Sequence, residues 1–324
     1  AIKLLISFAW MSTISLQPTM GVAWHRVLAS PHIWFKREAS GRTALGAAKP
    51  LTIGGKPFDM EAMEELEEGD TLGVGKVEDF TWKGLLDFST CTECGRCQSQ
   101  CPAWNTDKPL SPKLLMMTLR DHADAKAPFL KAAKAGATVG APAAGAGATA
   151  SEGSVIDWAS MALVGETGYT ADSPLSAYSP HGPDAVIDQD VLWSCTTCGA
   201  CVEQCPVDIE HVDHIIDMRR YATLIESAFP SELGGLFKNL ESKGNPWGMG
   251  ARARLDWAKD LPFPVKVLGQ DVESATDVEW LFWVGCAGAY EDRAKKTTRA
   301  VAELLDTAGV SFAVLGDGET CTGD

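Results

Sequence analysis

The sequence predicts a mainly α-helical protein with an α/β unit at its C-terminal end, and three observations lead there. A ladder of four cysteines occurs twice, each copy followed by helix signals. The chain opens on an apolar run, and it closes on an alternation of strand, amphipathic helix and strand: EWLFWVG, Ala294 to Ala308, then SFAVLG. With 324 residues there is room for one large domain or two of ordinary size. The sequence starts without Met and stops at CTGD, directly beside a cysteine, so it reads as a piece of a longer chain.

The apolar run from Leu4 to Leu16 is interrupted by Gln17 and Pro18 before it reaches the roughly 20 residues that cross a bilayer. Taken as the end of a longer helix, it is followed by Arg26, Lys36, Arg37, Arg42, Lys49 and Lys56 against Glu38 alone, the positive flank expected on the cytoplasmic side. Residues 1–40 are therefore expected to be the end of a transmembrane helix with its flank, at the cytoplasmic membrane. His25 and His32 follow the run closely, where a b-type haem finds axial ligands, and His25 is the candidate. Residues 41–80 are rich in Gly, Pro and acid, including the run EAMEELEEGD, and are expected to be a surface linker.

The first ladder is Cys91-x2-Cys94-x2-Cys97-x3-Cys101-Pro102, and the second is Cys195-x2-Cys198-x2-Cys201-x3-Cys205-Pro206. Three thiolates two residues apart let a short loop wrap three corners of a cubane, while the fourth, set off by proline, reaches the other cluster. This predicts two [4Fe-4S] clusters in an α-helical dicluster ferredoxin domain over 81–228. One is held by Cys91, Cys94, Cys97 and Cys205, the other by Cys195, Cys198, Cys201 and Cys101. Structural zinc uses C-x2-C pairs a dozen or more residues apart, a different pattern. Gly95 and Gly199 stand at matching places, where the backbone turns and approaches the cluster. After the first ladder, Ser111-Pro112 caps a helix expected to run to about Ala123. The Ala/Gly-rich stretch that follows has few bulky side chains, so a flexible insertion is expected near 125–188. After the second ladder a helix is expected from about Glu210 to Ile225, with His211 and His214 on its surface.

Residues 229–278 read as a Pro/Gly-rich connector and 279–324 as the start of a second domain. Cys286 and Cys321 each follow one of its strands, the end of an open α/β sheet where ligands gather, and are candidate ligands. The formal net charge of −15 excludes a phosphate-backbone partner, so no nucleic acid is expected. Eight of the ten cysteines sit in tight clusters unsuited to disulfides, which fits a reducing compartment. No nucleophile and base set appears, so no catalytic residue is assigned and the clusters are expected to carry electrons.

The blocks GVAWHRVLASPHIWFKRE, FTWKGLLDFSTCTECGRCQSQCPAWNTDKPLSPKLL, LWSCTTCGACVEQCPVDIEHVDHIIDMRRY and LFWVGCAGAYEDRAKKTTRAVAELL resemble the membrane-bound iron–sulfur reductases related to heterodisulfide reductase. Within that family they are most similar to the electron transfer flavoprotein:menaquinone oxidoreductases. The resemblance implies a haem-binding membrane domain before the dicluster domain and a cysteine-rich CCG domain after it. It implies oxidation of reduced electron transfer flavoprotein, fed by fatty-acid β-oxidation, with menaquinone as acceptor. It also aligns Cys286 and Cys321 with the first cysteines of a motif that binds a noncubane cluster, although Thr322 stands where that motif has its adjacent second cysteine. Alternatives of the same resemblance are a heterodisulfide- or glycolate-type reductase and an electron-carrier module without a catalytic centre of its own.

Overall fold

The computed structural model describes residues 2–16, 24–37, 45–53, 56–58, 71–134, 161–182 and 184–323. The acidic run and the Ala/Gly-rich stretch over 135–160 lie outside the described residues. The chain is mainly helical and divides into two units, 1–228 and 229–324.

In the first unit, α1 (Ile2–Leu16) is mostly apolar, interrupted by Lys3 and a few Ser and Thr, and leaves Leu4, Leu5, Ile6, Phe8, Trp10 and Met11 exposed. Its 15 residues rise about 22 Å at 1.5 Å each, short of a hydrocarbon core of about 30 Å. Among the described residues no helix is long and apolar enough to cross a membrane. α2 (Trp24–Trp34) packs on α3 (Trp82–Thr90), which is capped by Thr81, whose side chain accepts the Gly84 N–H. Between them β1 (Thr52–Ile53) and β2 (Lys56–Pro57) form a small antiparallel pair.

The C-terminal part of the expected surface linker belongs instead to the core: Leu72, Val74, Val77 and Phe80 are buried. Glycine makes this possible. Gly73 has φ +91°, and a Cβ there would stand 2.3 Å from the Asp217 carbonyl oxygen, so the strand of chain lies flush on the helix behind it. The next residue, Val74, donates its N–H to that carbonyl at 2.9 Å.

The short α4 (Arg96–Ser99) precedes α5 (Pro112–Lys134), which runs well past the expected end near Ala123. Beyond that point Lys126 is buried and pairs with Glu78 at 2.9 Å, and Phe129 packs on the core, so tertiary contacts carry the helix onward. The expected flexible insertion is likewise corrected at its far end. There β3 (Ala162–Gly165) and β4 (Ala185–Asp188) pair in parallel, with Leu163, Val186 and Ile187 buried against Leu115, Met116 and Leu119. Asp188 ends β4 and caps α6 (Gln189–Trp193), accepting the Asp190 N–H at 3.0 Å. α7 (Ala200–Glu203) and α8 (His211–Leu224) complete the unit.

The second unit holds α9 (Glu232–Lys243), a 3-10 run over Ala251–Ala258, β5 (Lys266–Val267), β6 (Trp280–Phe282), α10 (Gly285–Tyr290), α11 (Asp292–Thr307) and β7 (Phe312–Val314). Its sheet is all parallel in the order β5-β7-β6, with β7 central and buried along its length. Trp257, Val267, Ala302, Phe312 and Val314 form its core. Leu255 and Phe282 pack around them, so part of the expected connector is built into the sheet.

Candidate iron–sulfur site

The two ladders fold alike, residue for residue. Cys91 caps the end of α3, Glu93 takes φ 55° and Gly95 φ 77°, and α4 begins. Cys195 follows α6, Thr197 takes φ 54° and Gly199 φ 78°, and α7 begins. Ser99 and Glu203 then donate their N–H groups to the Gly95 and Gly199 carbonyls, each at 3.0 Å. Two left-handed residues in a short loop point successive N–H groups inward, the concavity that receives anions.

The eight cysteines surround two cavities. Cys91, Cys94, Cys97 and Cys205 line the first, and Cys101, Cys195, Cys198 and Cys201 line the second. They enclose about 280 and 310 Å³, counting their open mouths. Among the described residues no three His, Cys, Asp or Glu side chains converge on a point to hold a single metal ion. In each set one thiol is exposed, Cys94 and Cys198; Cys97 is buried in the first, and Cys101 and Cys201 in the second, where Cys97 and Cys201 hold matching places in the ladders. Cys97 and Cys201 pack together with Val212, so the two cavities are neighbours.

The donor set fits a cationic iron–sulfur group. Burial, reinforced by Cys91 and Cys205, pushes the Cys97 thiol up to about 12, and burial with Cys195 pushes Cys201 up as well. Thiolates so placed need cations, and a bound metal removes the proton outright. The backbone offers partial compensation. The Thr197 N–H donates to Cys195 Sγ at 3.3 Å, and N–H groups of Glu93, Arg96 and Ile209 face the sulfurs of Cys91, Cys94 and Cys205. Arg120 lies near Cys91, held by Glu93 at 2.8 Å. Arg219 stands near Cys195, donating to the Leu192 and Cys195 carbonyls at 2.7 Å each and lying over the Trp193 ring. Neither arginine is marked by the ladder spacing, since each comes from a distant helix face. When bound, a cubane cluster supplies one-electron reduction with no open coordination position; the chain's own residues wrap it, set its surroundings and leave one corner near solvent.

The histidines stand elsewhere than expected. His211 and His214, expected at the surface, are buried: His214 Nε2–H donates to Asp87 at 2.8 Å, and His211 Nδ1 faces the Ile209 carbonyl at 2.9 Å. The reason is packing, since α8 turns this face onto Phe80 and Phe88. His32 is buried with its Nε2 against Asp87 at 2.5 Å, and His25 is half-buried on α2.

In the second unit Cys286 lies in α10, past β6 and not at its tip, and Cys321 lies beyond a turn after β7. They are brought together in one buried cluster with Tyr290. Arg254, buried over the Tyr290 ring, donates from Nη2 to Cys286 Sγ at 3.2 Å and approaches Glu319, which in turn accepts the Val284 and Gly285 N–H groups. Burial raises the Cys286 pKa, opposed by Arg254.

Residues 90–209 match the family model described as a 4Fe-4S dicluster domain. The chain is 38% identical over 272 residues to the EtfAB:quinone oxidoreductase of Syntrophomonas wolfei, covering 83% of this chain and 35% of that protein. It is 35% identical over 323 residues to a protein of Chromohalobacter salexigens named "Probable membrane-anchored ferredoxin", covering 94% and 40%. It is 24% identical over 244 residues to one polypeptide of the dihydromethanophenazine:CoB–CoM heterodisulfide reductase of Methanosarcina acetivorans, covering 74% and 46%. The chain thus spans between about a third and a half of the length of these relatives. No solved structure matches. With its dicluster domain and these relatives, the chain belongs to the iron–sulfur oxidoreductases related to heterodisulfide reductase.

Proposed function

We propose that this chain relays single electrons through two [4Fe-4S] clusters from reduced electron transfer flavoprotein to menaquinone, at the cytoplasmic membrane with the cluster domain on the cytoplasmic side. The observation that carries the relay is the sorting of eight cysteines into two neighbouring cavities, three from one ladder and one from the other in each. We assign Cys91, Cys94, Cys97 and Cys205 to one cluster and Cys195, Cys198, Cys201 and Cys101 to the other. The exposed corners at Cys94 and Cys198 give the relay an inlet and an outlet, and the buried Cys97 and Cys201 pack together. The donor and acceptor are supported by the name of the Syntrophomonas relative, and the membrane by the Chromohalobacter relative and by the exposed apolar residues of α1.

The fatty-acid β-oxidation context follows from the same donor. Cys286 and Cys321, held beside Arg254, are proposed to contribute to a further, noncubane cluster of a CCG domain, and His25 to ligate haem b; absorption spectra of the reduced protein test the haem. The juxtaposed Cys286 and Cys321 also favour a second reading, a heterodisulfide-type reductase acting through that unit. Anaerobic addition of reduced electron transfer flavoprotein to the protein in its membranes, with EPR of the clusters, separates the two. Rapid cluster reduction followed by menaquinone-dependent reoxidation is expected. Clusters that dithionite reduces and the flavoprotein does not would overturn the assigned donor.

A further inference from the structure

Two arginines stand beside the first cysteines of the two ladders, and their charges are met differently. Arg120 of α5 bears on Cys91, with Nη1 bonded to Glu93 at 2.8 Å and Nε to Asp121 at 3.0 Å. Two carboxylates surround that one cation. Arg219 of α8 bears on Cys195, is half-buried, and has no carboxylate partner among the described residues. Its partners are neutral: Nε and Nη2 donate to the Leu192 carbonyl at 3.1 and 2.7 Å, and Nη2 donates to the Cys195 carbonyl at 2.7 Å. The guanidinium also lies 5.1 Å from the centre of the Trp193 ring.

These contacts have a local cause. Leu192 and Trp193 end α6, where the last carbonyls lack a helical partner, and the planar guanidinium fork serves two acceptors at once. The side chain therefore ties the end of α6 and the opening of the second ladder to α8. Burial lowers the Arg219 pKa from the ordinary arginine value, yet a guanidinium remains charged in a protein.

The surroundings give that charge its weight. Beside its four cysteines the second cavity is lined by residues such as Ala103, Leu110, Val212 and Ile215, and no charged side chain lines it among the described residues. The first cavity differs, with Glu93 and Lys113 in its lining and Arg96 close to Cys94. An electron added at the second site adds negative charge in apolar, thiolate-rich surroundings, where a fixed cation acts more strongly than in water. Net charge and exposure are among the factors that set a cluster's potential.

We propose that Arg219 is a positioning residue of the second cavity, clamping Cys195 through the backbone and easing reduction of the cluster there with its uncompensated charge. The inference rests on the cluster assignment above. The electron comes from a reduced flavin or another one-electron donor and leaves on reoxidation; Arg219 neither gains nor loses a proton.

EPR redox titration of the protein purified with its clusters tests this, with iron and acid-labile sulfide measured on the same samples. The signal to follow is the one that Cys101→Ser removes. Arg219→Gln takes away the charge and leaves an amide donor, and reduction of that cluster is expected to become about tenfold less favourable, about 59 mV at one electron, while the other cluster moves less. Arg219→Lys keeps the charge without the fork. It should hold the reduction midpoint near that of the wild type, while a lower unfolding temperature reports the weakened clamp. Should Arg219→Gln retain no iron, Thr223→Glu decides: one turn further along α8, it sets a carboxylate beside the intact clamp and should lower the same midpoint. An unmoved midpoint in the iron-retaining Arg219→Gln variant, or in Thr223→Glu where it decides, overturns the proposal. So does a fall as large in Arg219→Lys as in Arg219→Gln, which would leave a clamp and no effect of charge. Wild-type protein without iron or an EPR signal would instead overturn the cluster assignment on which it rests.

Discussion

At the scale of single residues, the crossed assignment makes the sharpest claim. Cys91→Ser and Cys205→Ser lie far apart in sequence but line one cavity, so EPR should show both variants losing the same cluster; Cys101→Ser should cost the other. Loss of different clusters in the first two would refute the crossing. The two turn glycines give a second comparison. Both have positive φ, where a residue with a Cβ costs about 1–2 kcal/mol. A Cβ on Gly95 meets nothing within 4 Å, whereas one on Gly199 stands 2.9 Å from the Leu45 side chain. Gly199→Ala should therefore lower the thermal midpoint more than Gly95→Ala, and equal effects would show that the backbone term alone matters. The ligand pattern and both glycines were legible in the sequence because they repeat at fixed spacing. Arg120 and Arg219 were not, because a charge that reaches a site from another helix carries no local signature.

At the scale of elements, long-range polar contacts decide what periodicity could not. Tyr178, in the segment expected to be flexible, accepts the Ser111 N–H at 2.7 Å and donates to the Pro109 carbonyl at 2.8 Å; Ser111 Oγ then donates to Gln98 in α4 at 2.7 Å. The far end of the insertion thus anchors the cap of α5 and the first ladder. Tyr178→Phe should cost about 1–3 kcal/mol in denaturant unfolding, because the Ser111 donor is left buried without a partner. No change would mean that this N–H is solvated. The helix after the second ladder was legible from its apolar spacing, but the burial of His211 and His214 was not, since their partner Asp87 comes from another helix. Burial alone would raise the Asp87 pKa, yet hydrogen bonds from His214 and His32, with the charge of Lys83, hold it well below the carboxylate range. A depressed carboxylate contributes stability above its unfolded value of about 3.9, lost as pH falls through the lower folded value. Asp87→Ala should cost about 3–5 kcal/mol at neutral pH, since it strands Lys83 and two histidines. Stability of the variant should also depend less on pH below about 4 than that of the wild type, by denaturant midpoints at each pH.

For the whole molecule, the division at residue 228 separates two kinds of stability. The first unit gathers its core around loops that carry eight cysteines, so metal-bound thiolates and folding are linked there. The second has a core of Trp257, Val267, Ala302, Phe312 and Val314 around a parallel sheet, with no ladder cysteine in it. Calorimetry should accordingly resolve two transitions. Removing iron with a chelator under reducing conditions should lower the one belonging to residues 1–228 by the larger amount, since that unit holds two clusters, with limited proteolysis assigning each fragment. The sequence already marked this contrast, since the ladders and the strand-helix-strand pattern occupy different stretches. It did not mark β5 or the 3-10 run, whose short length and Pro/Gly-rich flanks leave no periodic signal. If both transitions fell together on iron removal, the second unit would depend on the clusters of the first or on a metal of its own. The pair Cys286 and Cys321 decides which: Cys286→Ser should then abolish the second unit's response while leaving the first unit's unchanged.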